Sequence, residues 1–313
     1  MPTLVWLSLT ARLSARTAAN GGALADARQP VSPDRLTRRR QAAWAGPLRL
    51  ERACRPLFVW ERGDLLLDET GMPQPVATAM AGLAWVFSSP ERTPVSGFAL
   101  VLLVWTKGPW RIPRGLRRWH QGGPAKDALA LAGLSDARHR RRCRPGSVLF
   151  DAWSPSKPLL KRLRHDGWDV VCRLQKNRRW NGRPLRADRR HPSGAESGGR
   201  RGGLTVLVVR HGKQDEATNR LMRPAAEVRR WSRLRAPRAD VIRVCKDPLG
   251  LTGGQARSER AQRPHLACCL VACCVLEREP QERHLSLYTL KRQRRFQGHS
   301  MVLPALERLR RAA

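Results

Sequence analysis

SVLFDAWSPSKPLLK, residues 147–161, is the stretch of sequence from which the fold can be worked out. Its apolar run, 148–150, ends in a carboxylate, Asp151, and Ser154-Pro155 then interrupts the apolar pattern. Leucines at helical spacing follow, at Leu159, Leu160 and Leu163. This order predicts a buried strand that ends at Asp151 and turns directly into a helix. Open α/β sheets place their chemistry at such strand ends; the other interpretation is that Asp151 only caps the helix.

A second apolar strand that ends in acid lies upstream. Residues 64–70 read DLLLDET, in which three leucines lead to Asp68 and Glu69, and 71–73 have the composition of a turn. Carboxylates at the ends of neighbouring strands can hold divalent metal ions against a phosphodiester. The two strands together therefore favour metal-assisted phosphoryl transfer, and we expect Asp68/Glu69 and Asp151 to lie on neighbouring strands with their ends together.

The chain is strongly basic. Its 313 residues include 60 lysines and arginines against 25 aspartates and glutamates, which gives a formal net charge of +35. Such a charge implies a polyanionic partner, and nucleic acid is the natural one. Binding to a membrane surface is the competing interpretation. Residues 138–144 and 178–201 are notably rich in arginine, and we expect them to contact DNA.

The eight cysteines do not form a zinc-finger pattern, because the chain contains no CxxC pair. They are typical of small buried apolar side chains in a reducing cytosol. Four of them lie at 268–274, within an apolar stretch, 265–276, that is shorter than the roughly 20 residues needed to span a bilayer. We therefore expect a buried helix there and a cytoplasmic protein without membrane contact.

Four blocks of the chain resemble the DDE transposases of bacterial insertion sequences. They are GLAWVFSSPERTPVSGFALVLLVW (82–105), CRPGSVLFDAWSPSKPLLKRLRHDGW (143–168), VCRLQKNRRWNG (171–182) and VIRVCKDPLGLTGGQARSERAQ (241–262), and the likeness runs from about residue 65 to the C-terminus. The resemblance implies an α/β, RNase H-like fold, a mixed sheet flanked by helices with a β-rich insertion. It also implies cutting and joining of DNA with Mg²⁺ or Mn²⁺ in a bacterial, nucleoid-associated protein, and is compatible with a homodimer on the DNA.

In this family the third catalytic acid lies on a helix, in the pattern Tyr-x-x-Arg-x-x-x-Glu with a lysine seven residues later. The chain has Ser232, Arg235, Ala239 and Lys246 in that register. The arginine and the lysine match, whereas serine and alanine replace the tyrosine and the glutamate. The neighbouring acid is Asp240, which is rotated by about 100° around a helix from position 239.

Two further departures concern the same site. Pro237 falls within the third segment, and an interior proline destabilises a helix by about 3 kcal/mol, although it is harmless if the helix only begins there. The family's Asp-Asp-Thr reads Asp68-Glu69-Thr70, so the resemblance makes Glu69 the metal ligand. Adjacent strand residues face opposite sides, so Asp68 cannot replace Glu69 without a local twist.

The resemblance assigns the site residue by residue. The catalytic set is Asp68, Glu69, Asp151 and Asp240, the metal ligands are Glu69 and Asp151, and the DNA-binding residues are Lys157, Arg235, Arg243 and Lys246. Because Ala239 supplies no ligand, we expect an insertion-sequence transposase that binds element ends and target DNA but cleaves and transfers strands with reduced activity. Three alternatives stay open: an inactive DNA-binding remnant, the translation product of a decayed transposase gene, and a structural basic protein with no site, against which the two acid-tipped strands argue.

Three parts are expected along the chain. They are an N-terminal arm (1–60), disordered or DNA-binding, a catalytic domain (61–279) and a basic tail (280–313). In the catalytic domain the predicted strands are 64–70, 97–105, 110–119, 147–151, 169–175 and 204–210, and the predicted helices are 124–142 and 156–166. The second and third strands are predicted to pair antiparallel through a turn at Lys107-Gly108. The resulting β-β-β-α-β-α-β order is the RNase H-like order.

Overall fold

The computed structural model of the chain describes residues 63–88, 91–108, 110–140, 146–151, 156–176, 179–180, 183–184, 196–201, 204–212, 214–246, 251–254, 256–263, 265–267, 269–270 and 273–274. At 139–140, 179–180, 183–184, 196–201, 204, 211, 234–240 and 244 only the backbone is described. The predicted arm, 1–60, and the predicted tail, 280–313, lie outside the described residues.

The described residues form a mixed α/β structure. The strands are β1 (Asp64–Pro73), β2 (Ala84–Ser88), β3 (Thr93–Lys107), β4 (Trp110–Trp119), β5 (Val148–Phe150), β6 (Val170–Leu174), β7 (Arg179–Trp180), β8 (Arg183–Pro184), β9 (Glu196–Arg201), β10 (Leu204–His211) and β11 (Gln214–Thr218). The α-helices are α1 (Lys126–Ser135), α2 (Lys157–His165) and α3 (Ala225–Lys246). A π-helical turn (Asp136–Arg140) follows α1, and a 3-10 turn (Leu251–Gly253) follows α3.

One large mixed sheet organises the structure. Its strand order is β2-β3-β1-β5-β6-β11-β10-β9, with β4 also paired to β3, while β7 and β8 form a small separate sheet. β1 runs antiparallel to β3 and parallel to β5, and β5 runs parallel to β6. The centre of the sheet is therefore parallel, and its two sides are antiparallel.

β3 and β4 form the antiparallel hairpin that the sequence predicts. Lys107 pairs with Trp110, and the turn between them contains Gly108 at φ +55°, a conformation that favours glycine. β3 is longer than the predicted 97–105, because its first residues pair with β2. Residues 97–106 are all buried, which explains an apolar run without alternation, since both faces of the strand are covered.

β1 continues beyond the turn that the sequence predicts at 71–73. Gly71 pairs with Ala99, and Pro73 pairs with Gly97. A side chain at position 97 would collide with the Met72 carbonyl oxygen, so glycine allows the two strands to approach closely. The acids of β1 consequently lie within the strand and not at its end.

α2 agrees closely with the predicted helix at 156–166. Its N-cap is Ser156, whose hydroxyl accepts a hydrogen bond from the Leu159 amide at 3.2 Å. Leu159, Leu160 and Leu163 are buried. Because Ser156 caps the helix, Asp151 is not its N-cap, and the capping interpretation of Asp151 is wrong.

The other predicted helices differ more from the structure. α1 ends at Ser135, and the π-helical turn takes the place of residues 136–140 of the predicted helix, 124–142, whose last two residues lie outside the described part of the chain. α3 begins at Ala225, so Pro237 lies in its interior and not in its first turn. That position lacks the N–H of one helical hydrogen bond.

The cysteine-rich stretch is helical where the structure describes it. Residues 269–270 and 273–274 are helical, and Cys269, Cys273 and Cys274 are buried, which confirms the predicted buried helix for these residues. The ring of His265 is hydrogen-bonded to the Leu251 carbonyl at 3.3 Å and anchors this segment to the 3-10 turn. Within the described part of the chain, no helix is long and apolar enough to cross a membrane.

Candidate functional site

Asp68 and Asp151 lie side by side at the point where β5 ends. β1 and β5 run parallel with Leu67 opposite Phe150, and an aspartate follows each of these residues. Neighbouring strands are about 4.8 Å apart, so the register, continued by one residue, brings the two aspartates to adjacent positions. The expectation that these acids lie on neighbouring strands is confirmed for this pair.

The same register determines which side of the sheet each acid faces. Residues directly opposite each other point to the same face, and successive residues point to opposite faces. Asp68 and Asp151 therefore share one face, which we call the acid face. Glu69 points to the other face, together with Leu67.

Glu69 is engaged elsewhere. Its carboxylate accepts a hydrogen bond from Nζ of Lys126, the first residue of α1. The same ammonium group lies 5.1 Å from the centroid of the Trp119 ring. The structure thus does not bring Glu69 together with Asp151. Asp68 takes the position beside Asp151 without the local twist expected from the sequence.

The helices pack against the sheet, and α1 can be assigned to one of its faces. Glu69 lies opposite Val101 and Val101 opposite Arg117, and Arg117 pairs with Asp136 directly after α1, so α1 covers the face of Glu69. α2 contacts α1. α3 packs against β1, β5 and β6, the strands at the centre of the sheet.

The remaining predicted residues lie on α2 and α3. Arg235 and Asp240 are placed on α3 by their backbone, and their side chains lie outside the described part of the structure. Arg243 is exposed and Lys246 is half-buried in the last turn of α3. Val241, Ile242 and Cys245 are buried and fix this end of α3 to the sheet. Lys157 is exposed at the first position of α2.

The sheet also brings two further charged residues, Arg173 and Glu216, to the acid pair. Phe150 lies opposite Cys172, and Arg173 lies opposite Glu216 on β11. The register therefore places Arg173 beside Asp151 on the acid face, followed by Glu216, which is only 3% exposed. Opposite charges on neighbouring strands attract each other. The available signal was the charge of Arg173 between the apolar residues Cys172 and Leu174 of the predicted strand.

A separate cavity lies between α1, the π-helical turn and α2. Its volume is about 290 Å³, and it is lined by Leu131, Leu134, Ser135, Arg138, Arg162, Leu163, His165, Asp166 and Trp168. Burial raises the pKa of Asp166, but hydrogen bonds with His165 at 3.1 Å and Arg162 at 3.0 Å outweigh burial and hold this pKa below its ordinary value. The acid is thus satisfied by its own neighbours, and the cluster stabilises the end of α2.

Comparison with known proteins supports the fold. No protein-family model matches the chain, and no curated protein matches it. Among solved structures, the cryo-EM structure of the piggyBac transposase synaptic complex with hairpin DNA is similar, with a TM-score of 0.54 and 13% sequence identity. The match covers 98% of this chain and 71% of that chain. At this identity the likeness shows a shared fold, and the expectation of a transposase-like α/β fold is confirmed at that level.

Proposed function

We propose that the chain is a transposase of a bacterial insertion sequence, which binds DNA and catalyses metal-dependent strand cleavage and transfer with reduced activity. The observation that carries this proposal is the parallel pairing of β1 with β5, which sets Asp68 beside Asp151 on one face. The fold of a transposase determined in complex with DNA and the formal charge of +35 support it.

The order of the elements supports an RNase H-like assignment. The antiparallel strands β1, β3 and β4 come first, followed by α1, β5, α2 and β6. This is the β-β-β-α-β-α-β order of the RNase H-like fold, with β2 added at one edge. β7 to β11 form the β-rich insertion before α3, the helix that carries the third acid in the family.

The acid pair fits one type of metal site. Magnesium is often held by one or two carboxylates together with substrate phosphates and water, and Asp68 and Asp151 offer two carboxylates on neighbouring positions. Asp68 and Asp151 would hold the cation, which would supply a Lewis acid for the phosphodiester and favour activation of water. Arg173, beside Asp151, is positioned to contact a DNA phosphate, which arginine can bind with two parallel hydrogen bonds.

The basic residues on the helices position the DNA backbone. Arg243 and Lys246 lie at the C-terminal end of α3, and Lys157 begins α2 shortly after Asp151. Contacts of this kind set the register of DNA without reading its sequence. Arg235 and Asp240 belong to the same proposal through the family pattern. A homodimer on the DNA is compatible with it.

The reduced activity follows from the third acid. Ala239 supplies no ligand, and Pro237 interrupts the hydrogen bonding of the helix that would aim one. Among the described residues, no group of three histidine, cysteine or acidic side chains could hold a metal ion. This observation also favours the second candidate, an inactive remnant that binds DNA without cleaving it.

Salt-sensitive binding to duplex DNA tests the part common to both candidates. Each phosphate neutralised by lysine or arginine releases counterions, so we expect the affinity to fall by on the order of 10³-fold between 50 and 200 mM salt. Fluorescence anisotropy with labelled duplexes of unrelated sequence should give similar slopes of log affinity against log salt. An affinity that stays constant over this range would contradict DNA binding by the basic surface.

A further inference from the structure

Two aromatic side chains on β2 project into solvent. Trp85 is 72% exposed and Phe87 is 62% exposed, whereas their neighbours Ala84, Val86 and Ser88 are buried. The alternation along β2 is that of an edge strand with one face on the core. Large apolar side chains that share one exposed face indicate a binding surface.

The two rings lie on the acid face of the sheet. Trp85 is opposite Ser96 and Phe87 is opposite Pro94, and β3 keeps a continuous register with β1 in which Asp68 lies opposite Leu102. Even-numbered residues of β3 therefore share the face of Asp68. Ser96 is about 20 Å along the strand from Leu102, at roughly 3.3 Å per residue.

The spacing of the rings fits a nucleobase. Residues two apart in a strand are separated by roughly 6.4 to 6.8 Å, about twice the 3.4 Å rise between stacked bases in one DNA strand. A base can therefore stack on either ring or insert between them. RNA-recognition domains use exposed aromatic residues on a sheet in the same way.

The charge of the chain selects nucleic acid over a second copy of the protein. A formal charge of +35 opposes self-association and attracts a polyanion. The hairpin between β2 and β3 carries one acid and one base, Glu91 and Arg92, which are both exposed. Their charges offset each other, so the attraction of DNA to this surface comes from the charge of the whole chain. Base stacking then supplies the short-range contact that phosphate binding lacks.

We propose that Trp85 and Phe87 form a stacking site for an unpaired base of a DNA strand that extends from the acid pair. The inference rests on the proposed function, because it takes the polyanion to be DNA and the acid face to be the side where DNA lies. It adds a preference for unpaired bases that the acids do not provide.

The test compares three labelled probes on the full chain by fluorescence anisotropy at fixed salt. The probes are a single-stranded thymidine oligonucleotide, an abasic strand of the same length and a duplex. Trp85→Ala with Phe87→Ala should weaken binding of the thymidine strand about tenfold or more, as removal of stacking aromatics does. Binding of the abasic strand and the duplex should change by less than about twofold, because their contacts are to phosphate.

Matched controls separate the stacking site from general effects. Val76→Ala and Met222→Ala remove side chains that are 91% and 95% exposed and should leave all three affinities unchanged. Trp85→Phe should retain most of the affinity for the thymidine strand, since a ring remains. Thermal unfolding of each variant verifies that the fold is intact, as expected for exposed positions.

Three results would overturn the stacking site. Equal losses for the thymidine and abasic strands would show that the rings do not bind bases. Unchanged binding of the thymidine strand by the double variant would leave the two rings without a role in DNA binding. If the double variant also changed from dimer to monomer in light scattering, the surface would be a protein interface. If the natural chain binds none of the probes, both the stacking site and the proposed function are wrong. If the natural chain binds the duplex but binding of the thymidine strand does not depend on Trp85 and Phe87, only the stacking site is wrong.

Discussion

Asp151→Asn should lower metal-dependent nicking of supercoiled DNA by this chain by on the order of a hundredfold or more, since a displacement of about 1 Å at a reacting centre already has an effect of that size. The substitution keeps the shape of the side chain and removes its charge. Asp151 is one of two carboxylates that the parallel pairing of β1 with β5 brings together. With one of them neutral, a divalent cation has a single acidic ligand and a poorly defined position.

The neighbouring acids of β1 provide the matched comparison. Asp68→Asn should reduce nicking as strongly as Asp151→Asn, whereas Glu69→Gln should leave it nearly unchanged, because Glu69 pairs with Lys126 on the opposite face. Titration of Mn²⁺ binding by calorimetry, without DNA, should give the same order of effects. A loss of metal binding in Glu69→Gln but not in Asp68→Asn would contradict the role of Asp68 beside Asp151. It would make Glu69 the metal ligand, as expected from the sequence.

Ala239→Glu together with Pro237→Gln should raise the same nicking rate by about tenfold or more, through better positioning of the metal. The first change supplies the acid of the family pattern. The second restores a backbone N–H in the interior of α3 and removes a helix penalty of up to about 3 kcal/mol. The rate should be measured with Mg²⁺ and with Mn²⁺ beside the natural chain.

The single substitutions separate stability from catalysis. Pro237→Gln alone should raise the free energy of unfolding in urea and change the nicking rate little. Ala239→Glu alone should raise the nicking rate and change the free energy of unfolding little. The natural chain could instead nick DNA strongly, with a rate that Asp151→Asn abolishes and Ala239→Glu does not alter. That result would mean that another residue supplies the third carboxylate. Asp240 on α3 and the buried Glu216 beside Arg173 would then be the positions to test.

The sequence predicts the structure well where the pattern depends on neighbouring residues in the chain. The apolar run of β3, the turn at Lys107-Gly108 and the leucine spacing of α2 predict a hairpin and a helix at nearly the observed positions. Asp151 could be located for the same reason, because an apolar run, an acid and a helix follow one another directly. These features depend on neighbours in the chain and not on partners elsewhere.

The choice between Asp68 and Glu69 could not be made from the sequence. Two adjacent acids on a strand differ only in the face they take, and that face is set by pairing with β5, far along the chain. The same holds for Arg173 and Glu216, which become neighbours of Asp151 only through the order of β5, β6 and β11. The extension of β1 through Pro73 likewise depends on its partner β3.

The long chain segment between β1 and β5 affects the order in which the parts of the sheet form during folding. Contacts between distant residues form more slowly than local ones, because a larger loop must close first. The β3–β4 hairpin, which closes through Lys107 and Trp110, is therefore expected to form before Leu67 meets Phe150. Pulsed hydrogen exchange during refolding should protect the amides of β3 and β4 earlier than those of β5, and simultaneous protection would contradict this order. A nascent chain would thus carry its positive charge before it carries the acid pair to which the proposed cleavage is assigned.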